Sequence, residues 1–303
     1  MQYAVLGAGG VGGLLGAMLA RKGHSATRLV RPESLDRHPT RLTVESVLLG
    51  DFEVNVELAA TLNSPVDVVL LAVKAYDLDA SLSAVSPRAL GSGVILPLLN
   101  GIDHIAKLRQ VYGPERVIAG RAEMESERVA PGRIRHRQSL LRIGVAARPD
   151  GPSLAAAIVR ELGEAGAETH LWEDEGAMLW GKLNVVAPVA LTTAATGWTL
   201  GKVRDKPDWG ERLASCIRQV YETAKATGVE GLDLPRTMDW IMNKLPDGFR
   251  SSMQKDLERG SPIELDAIGK SVLRAAGLKA VHVPQIEELV AMVEKRATNL
   301  GGR

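Results

Sequence analysis

Hydrophobic positions along this chain fall into two regimes. In the first half, short apolar runs alternate with stretches whose apolar residues recur three or four positions apart. Tyr3–Leu6 is apolar and leads at once into glycines; Gly12–Lys22 then reads as a helix ending at Gly23, and Ala26–Val30 as a second strand. Asp67–Val73 is a continuous apolar run, as a strand buried on both faces requires. Val94–Leu98 and Val117–Ala119 repeat the theme, with helical stretches Leu78–Val85 and Asp103–Val111 between them. Such alternation predicts a parallel sheet covered by helices. Arg133–His136 and Leu141–Gly144 read as short strands near a turn at Pro131-Gly132, with antiparallel pairing open to them, and Ser153–Ala165 as one more helix.

From about Trp172 the strand pattern fades. Glu175–Thr196, Pro207–Thr227, Pro235–Leu245, Ser251–Arg259, Glu264–Ala276 and Pro284–Arg296 carry helical periodicity. Pro207, Pro235 and Pro284 are suitable starts, and Gly228, Gly260 and Gly277 suitable stops. There is no internal repeat and no low-complexity linker, so the boundary is a change of class. The predicted fold is an α/β Rossmann-type parallel-sheet domain, residues 1–172, followed by an all-α domain, residues 173–303.

Composition narrows the chemistry. The 303 residues are 45% hydrophobic and 24% charged, with a formal net charge of +1, which supplies no field to recruit nucleic acid or an anionic membrane. A single cysteine, Cys216, rules out an intramolecular disulfide and fits a reducing compartment. The six histidines are scattered, none paired at metal-ligand spacing, so no metal is expected. The opening residues lack a signal-peptide pattern and no run reaches the roughly 18 apolar residues of a membrane span. The expected location is cytoplasmic and the expected partner a small molecule, with a homodimer left open.

Gly7-Ala8-Gly9-Gly10-Val11-Gly12 matches G-x-G-x-x-G, a weak pattern alone. Here it lies between an apolar strand and a helix, where Gly7 permits a tight turn, Gly9 lets backbone approach a pyrophosphate, and Gly12 lets the helix pack on the strand. At the end of the second strand an NAD enzyme places Asp or Glu for the ribose hydroxyls. This chain reads Leu29-Val30-Arg31-Pro32, with no acid before Glu33. An arginine fork suits a 2′-phosphate, so NADP(H) is the expected cofactor. Lys74 follows one apolar run directly and Asn100 another. With Gly7 and Arg31 they place four residues at strand ends, where open α/β sheets bind ligands.

A nicotinamide cofactor supplies hydride, and the protein must supply orientation and a proton. Lys182 lies in the otherwise apolar stretch Met178–Leu191, where a lysine faces solvent, a partner or a substrate. A second polar segment runs from Ser251 to Asp256 and on to Glu264, which as a first-turn carboxylate would also be stabilised by the helix dipole alone.

Taken together, LGAGGVG at Leu6–Gly12, Arg31, VKAYD at Val73–Asp77, LLNG at Leu98–Gly101, WGKL at Trp180–Leu183 and SSMQKDLERGSPIELD at Ser251–Asp266 resemble the ketopantoate reductase family in order and spacing. The resemblance spans nearly the whole chain. It implies a Rossmann-type domain and an all-helical domain closing over NADPH and a 2-oxo acid, that is, an NADP-dependent oxidoreductase acting on CH–OH, with a place in pantothenate biosynthesis. It implies that Lys182 donates the proton to the substrate carbonyl, that Ser252 touches the substrate, and that Glu264 lies beside the nicotinamide ribose and the lysine. Cofactor roles follow for Gly7, Ala8, Gly9, Gly10, Val11, Gly12, Arg31, Lys74 and Asn100.

The chain also departs from the family pattern. Asparagines expected four and eight residues after the lysine are Val186 and Ala190, and a further one falls at Leu200. Asn184 lies about 200° around the helix from Lys182 and points away. The implied pocket is more apolar than the family's, with Thr192 or Thr193 as candidates to replace the lost contacts. Two alternatives to a 2-oxo acid reductase are a reductase of another carbonyl or imine, and a non-catalytic dinucleotide sensor.

Overall fold

The computed structural model describes residues 1–147 and 153–301. The chain divides into two compact units: Met1–Leu99 with His104–Glu175, and Asn100–Asp103 with Gly176–Arg303.

The first unit begins with β1 (Gln2–Leu6), α1 (Gly10–Arg21) and β2 (Ser25–Leu29), followed by β3 (Arg41–Ser46), β4 (Phe52–Asn55), β5 (Glu57–Ala59) and β6 (Val68–Leu71). Two short helices, α2 (Leu78–Ser81) and α3 (Pro87–Leu90), precede β7 (Val94–Pro97) and α4 (Asp103–Tyr112). The long strands β8 (Gly120–Ala130) and β9 (Arg133–Ala146), then α5 (Ser153–Glu164) and β10 (Glu168–Trp172), complete it. One sheet is all parallel, in the order β5-β2-β1-β6-β7. The other runs β10-β9-β3-β4, with β8 antiparallel to β9.

Side-chain alternation explains how these sheets pack. Along β1, Tyr3 and Val5 join a core with α1, α5 and the second sheet, while Ala4 and Leu6 join one with Leu108 and Tyr112 of α4. The first core contains Leu14, Leu15, Met18 and Leu19 of α1 together with Leu42, Val44, Ile134 and Ile143 of the second sheet. Helix α1 is therefore covered on every side. Gly12 through Leu19 are all buried, which is why its sequence is apolar all round instead of amphipathic.

The second unit is helical. It comprises α6 (Glu175–Thr196), α7 (Leu200–Asp205), α8 (Pro207–Ala226), α9 (Leu234–Asp239), α10 (Ser252–Glu258), α11 (Ser271–Leu278) and α12 (Pro284–Gly301). Its larger core joins Leu183, Ala187 and Leu191 of α6 to Cys216 and Val220 of α8, Met253 of α10 and Ile286 and Leu289 of α12. A second cluster gathers Val189, Leu200, Val203, Leu213, Ile217 and Ile241.

Several details differ from the sequence reading. Val117–Ala119 forms no strand of its own; Val117 makes one parallel bridge to Ile95 and the chain passes into β8. The two short strands expected around Pro131-Gly132 belong to a single long hairpin, in which irregular pairing between Met124 and Ser126 interrupts the alternation. Glu264–Ala276 is not one α-helix but a wider π turn, Asp266–Lys270, leading into α11, which passes through Gly277 to end at Leu278. Pro235–Leu245 likewise splits into α9 and a π turn at Trp240–Lys244. No described helix is long and apolar enough to cross a membrane.

Candidate functional site

In the first unit the chain leaves β1 for β2 on one side, and later returns to β6 on the other. The carboxyl end of β1 is thus a topological switch point, where open sheets leave a crevice. The turn after β1 occupies it. Gly7 has φ 120° and lies so close to β6 that a Cβ would stand 2.6 Å from the Ala72 carbonyl oxygen. A Cβ on Gly12 would stand 2.1 Å from the Gly7 carbonyl oxygen. Between them, Gly9 is exposed, and a Cβ there would meet nothing within 4 Å. Gly9 is also the N-cap of α1, which has neither a side-chain cap nor an acid in its first turn. The start of the helix is open at Gly9, with Ala8, Gly10 and Val11 half-buried around it, while Gly10 backs onto β8, where a Cβ would stand 2.0 Å from the Ser126 carbonyl oxygen. This cradle fits a pyrophosphate.

Arg31 follows β2 with its side chain 64% exposed, and its Nη2 donates to Asp77 Oδ1 at 2.8 Å. The acid missing from the end of β2 therefore arrives from the 3-10 turn Ala75–Asp77 beyond β6. An exposed pair of this kind contributes about 0–1 kcal/mol, so Asp77 holds the fork only weakly. Lys74, half-buried, caps the same turn, its carbonyl accepting from the Asp77 amide at 2.9 Å.

The second unit joins residues distant in sequence. Asn100 Nδ2 donates to Glu264 Oε2 at 3.1 Å, and Glu264 is only 5% exposed. Gly101 packs so tightly that a Cβ would lie 2.3 Å from the Ala267 carbonyl oxygen. Beyond it, Arg274 bridges two acids: Nη2 reaches Asp103 Oδ2 at 2.6 Å and Nη1 reaches Asp266 Oδ1 at 2.9 Å. The Arg274 guanidinium beside Asp266 holds that carboxyl below its usual range. Loop 100–103 is thereby fixed on the segment carrying Glu264. The sequence reading singled out Asn100 and Glu264 but not Asp103, Asp266 or Arg274, whose link depends on the wide π turn.

Lys182 is half-buried on α6, with Val186 half-buried and Ala190 2% exposed, both against the larger helical core. Leu200 is fully buried in the second cluster, a packing residue. Asn184 is buried, and both atoms of its side-chain amide lack a partner among the described residues. Neither threonine has a hydroxyl proton to spare. Thr192 donates to the Pro188 carbonyl at 2.8 Å, and Thr193 to the Val189 carbonyl at 2.7 Å. Ser251 caps α10 by accepting from the Gln254 amide, and its Oγ lies 2.8 Å from Thr193 Oγ1. Ser252, next along, is exposed and its hydroxyl has no partner among the described residues.

Comparison with known proteins agrees along the length of the chain. A family model described as "Ketopantoate reductase PanE/ApbA" matches residues 3–148, and one described as "Ketopantoate reductase PanE/ApbA C terminal" matches residues 176–297. A 2-dehydropantoate 2-reductase from Mesorhizobium japonicum is 28% identical, over 99% of this chain and 99% of that protein. The structure of a PanE/ApbA family ketopantoate reductase from Ralstonia eutropha JMP134 is 25% identical, covers 99% of each chain and has a TM-score of 0.86. A D-mandelate dehydrogenase with NADH and anilino(oxo)acetate shares the fold at 19% identity and a TM-score of 0.87, again over 99% of each chain.

The Arg274 bridge has a pH signature. A carboxyl held low contributes stability above its ordinary pKa, and loses it as pH falls through the depressed value. Arg274→Met should therefore unfold more easily than the parent at pH 7, by roughly 1 kcal/mol for a largely exposed network. The gap should close as pH falls below about 4. Thermal unfolding across pH checks this; a gap independent of pH would mean that the arginine acts through packing alone.

Proposed function

This chain is a member of the ketopantoate reductase family, and we propose that it reduces a 2-oxo acid to the 2-hydroxy acid with NADPH. In this reading residues 1–172 bind the dinucleotide and residues 173–303 serve the substrate. The observation that supports it most is the glycine turn at the β1 switch point, open at Gly9 over the uncapped start of α1.

The roles divide by chemistry. A bound nicotinamide supplies the hydride. Gly7, Ala8, Gly9, Gly10, Val11 and Gly12 present backbone to the pyrophosphate, Arg31 exchanges Asp77 for the 2′-phosphate, and Lys74 and Asn100 complete the cofactor contacts. Lys182 gives its Nζ proton to the carbonyl oxygen as negative charge develops there. Glu264, buried and holding the Asn100 amide, orients cofactor and lysine. Ser252 offers an unengaged hydroxyl to the substrate. The cofactor choice rests on Arg31 and not on the architecture, since the D-mandelate dehydrogenase of the same fold was solved with NADH.

Removal of the acid should separate binding from turnover. Lys182→Ala should lower kcat by about 10²–10⁴ and leave the NADPH dissociation constant nearly unchanged. A variant that keeps most of its kcat excludes Lys182 as the proton donor.

The reaction itself is tested by following NADPH and NADH oxidation with 2-oxo acids graded by size, ketopantoate included. NADPH should be preferred, and Arg31→Ala should raise the NADPH constant while barely changing that for NADH. Val186 and Ala190 place methyl groups where polar contacts would sit, and both nearby threonine hydroxyls are engaged. An apolar wall discriminates mainly by size. Ketopantoate should accordingly beat its analogue lacking the hydroxyl by less than tenfold in kcat/KM, about 1.4 kcal/mol. A larger margin would make the chain an ordinary ketopantoate reductase with relocated contacts, and no oxidation with any 2-oxo acid would overturn the reading.

A further inference from the structure

Strand β2 carries an arginine where its position calls for an apolar residue. Arg28 pairs in register with Val5, so it shares the face that packs under α1. A Cβ on Gly16 of that helix would lie 3.8 Å from Arg28 Cγ. The residue is 1% exposed, and Nε, Nη1 and Nη2 all lack a hydrogen-bond partner among the described residues. Buried arginines are ordinarily paired, because an uncompensated internal charge is strongly unfavourable.

The surroundings of this guanidinium are cationic too. Arg128 of β8 is exposed and lies at 3.4 Å from His38 Nε2, and no carboxylate pairs with Arg28 or Arg128 among the described residues. Burial and then Arg128 push Arg28 down to about 10. Burial, then Arg28 and Arg128, hold His38 below its ordinary value, so the ring is neutral at pH 7. With Nε2 accepting from Arg128, the ring proton sits on Nδ1, another buried atom without a partner among the described residues. Every unsatisfied group in this cluster is therefore a donor: three guanidinium nitrogens and one imidazole N–H. What the cluster lacks is an acceptor carrying negative charge. Water would supply acceptors but leave the charge uncompensated.

We propose that Arg28, Arg128 and His38 form a binding site for a phosphate-class oxyanion. Exposed Arg128 and half-buried His38 make the entrance, and buried Arg28 is the inner contact. A tetrahedral dianion offers acceptors enough for both guanidinium forks and the imidazole N–H. Two sources share that chemistry: free phosphate, and the phosphomonoester of the dinucleotide, whose proposed contact Arg31 lies three residues after Arg28.

The test uses the full chain without cofactor. Thermal unfolding is compared in phosphate and in chloride at equal ionic strength. Phosphate should raise the wild-type Tm above its value in chloride. Arg28→Leu, which removes the uncompensated charge, should match or exceed the wild type in chloride and gain nothing from phosphate. Arg128→Gln, a surface change, should weaken phosphate by on the order of tenfold. If Arg28→Leu does not fold, Arg28→Lys and Arg128→Gln still read the site through their phosphate dependence. Equal wild-type Tm in both salts, or a phosphate gain that survives both in Arg128→Gln and in whichever Arg28 variant folds, overturns the proposal.

A second arm separates the sources, and it alone rests on the NADPH reading. Phosphate that competes with NADP⁺ but not NAD⁺, with NADP⁺ affinity reduced in the Arg28 variant, assigns the site to the cofactor's phosphate. Simultaneous binding of phosphate and NADP⁺, with NADP⁺ affinity unchanged by the variant, assigns it to free phosphate. A wild type that shows the phosphate gain but binds no NADP⁺ keeps the anion site and overturns the cofactor reading.

Discussion

The ligand end of the first unit depends on one constraint: backbone must touch backbone where α1 leaves β1. A methyl group on Gly12 would collide with the Gly7 carbonyl, and one on Gly7 with the Ala72 carbonyl. Because these contacts are available, α1 lies flat between the two sheets and can be buried on all sides. The same burial explains its apolar composition. Its first amides, left free by the fold, are what a pyrophosphate needs. One packing constraint thus accounts both for the buried helix and for the open turn at its start.

The second unit uses the same device with charge added. Gly101 closes on the Ala267 carbonyl, and Arg274 then ties Asp103 to Asp266. Each exposed ion pair contributes little on its own. Together with the close approach they fix the loop in place, so that Asn100 meets Glu264. The contrast with Arg28 is one of surroundings. Arg274 faces two carboxylates, and Arg31 faces one; Arg28 is buried with none among the described residues. Exposed cations paired with acids can exchange partners at small cost, whereas a buried unpaired cation requires one.

What the sequence disclosed follows from this physics. β1, α1, β2, β6 and β7 were legible because strands buried on both faces are continuously apolar, and the glycines that end β1 are irreplaceable. Helix α6 was legible to its ends, Glu175 and Thr196. β3, β4, β5 and β10 were not, because they are short and carry charged residues on exposed positions. The hairpin β8–β9 was half seen because its irregular pairing breaks the period of two. Asn100 stands out at a strand end and Glu264 in a polar segment, but their hydrogen bond joins positions 164 residues apart, and no local pattern encodes it. Arg28 passed unnoticed because a single arginine does not interrupt a strand pattern; only its burial without a partner marks it.

Helix α6 shows how a helix can lose its polar face without losing polar residues. Pro188 has no N–H to give, so it cannot make the usual helix bond to the Asn184 carbonyl four residues back. Asn184 itself is buried away from the lysine's face with its amide unpaired among the described residues. Thr192, Thr193 and Thr196 each donate to a carbonyl four residues earlier, on Pro188, Val189 and Thr192. Thr193 Oγ1 also meets Ser251, whose Oγ already caps α10. These hydroxyls serve the helix and its packing, as do half-buried Val186 and buried Ala190, which lie against the larger helical core. Beyond α6, Ser252 stands exposed at the start of α10, and Arg274 holds the loop that carries Asn100.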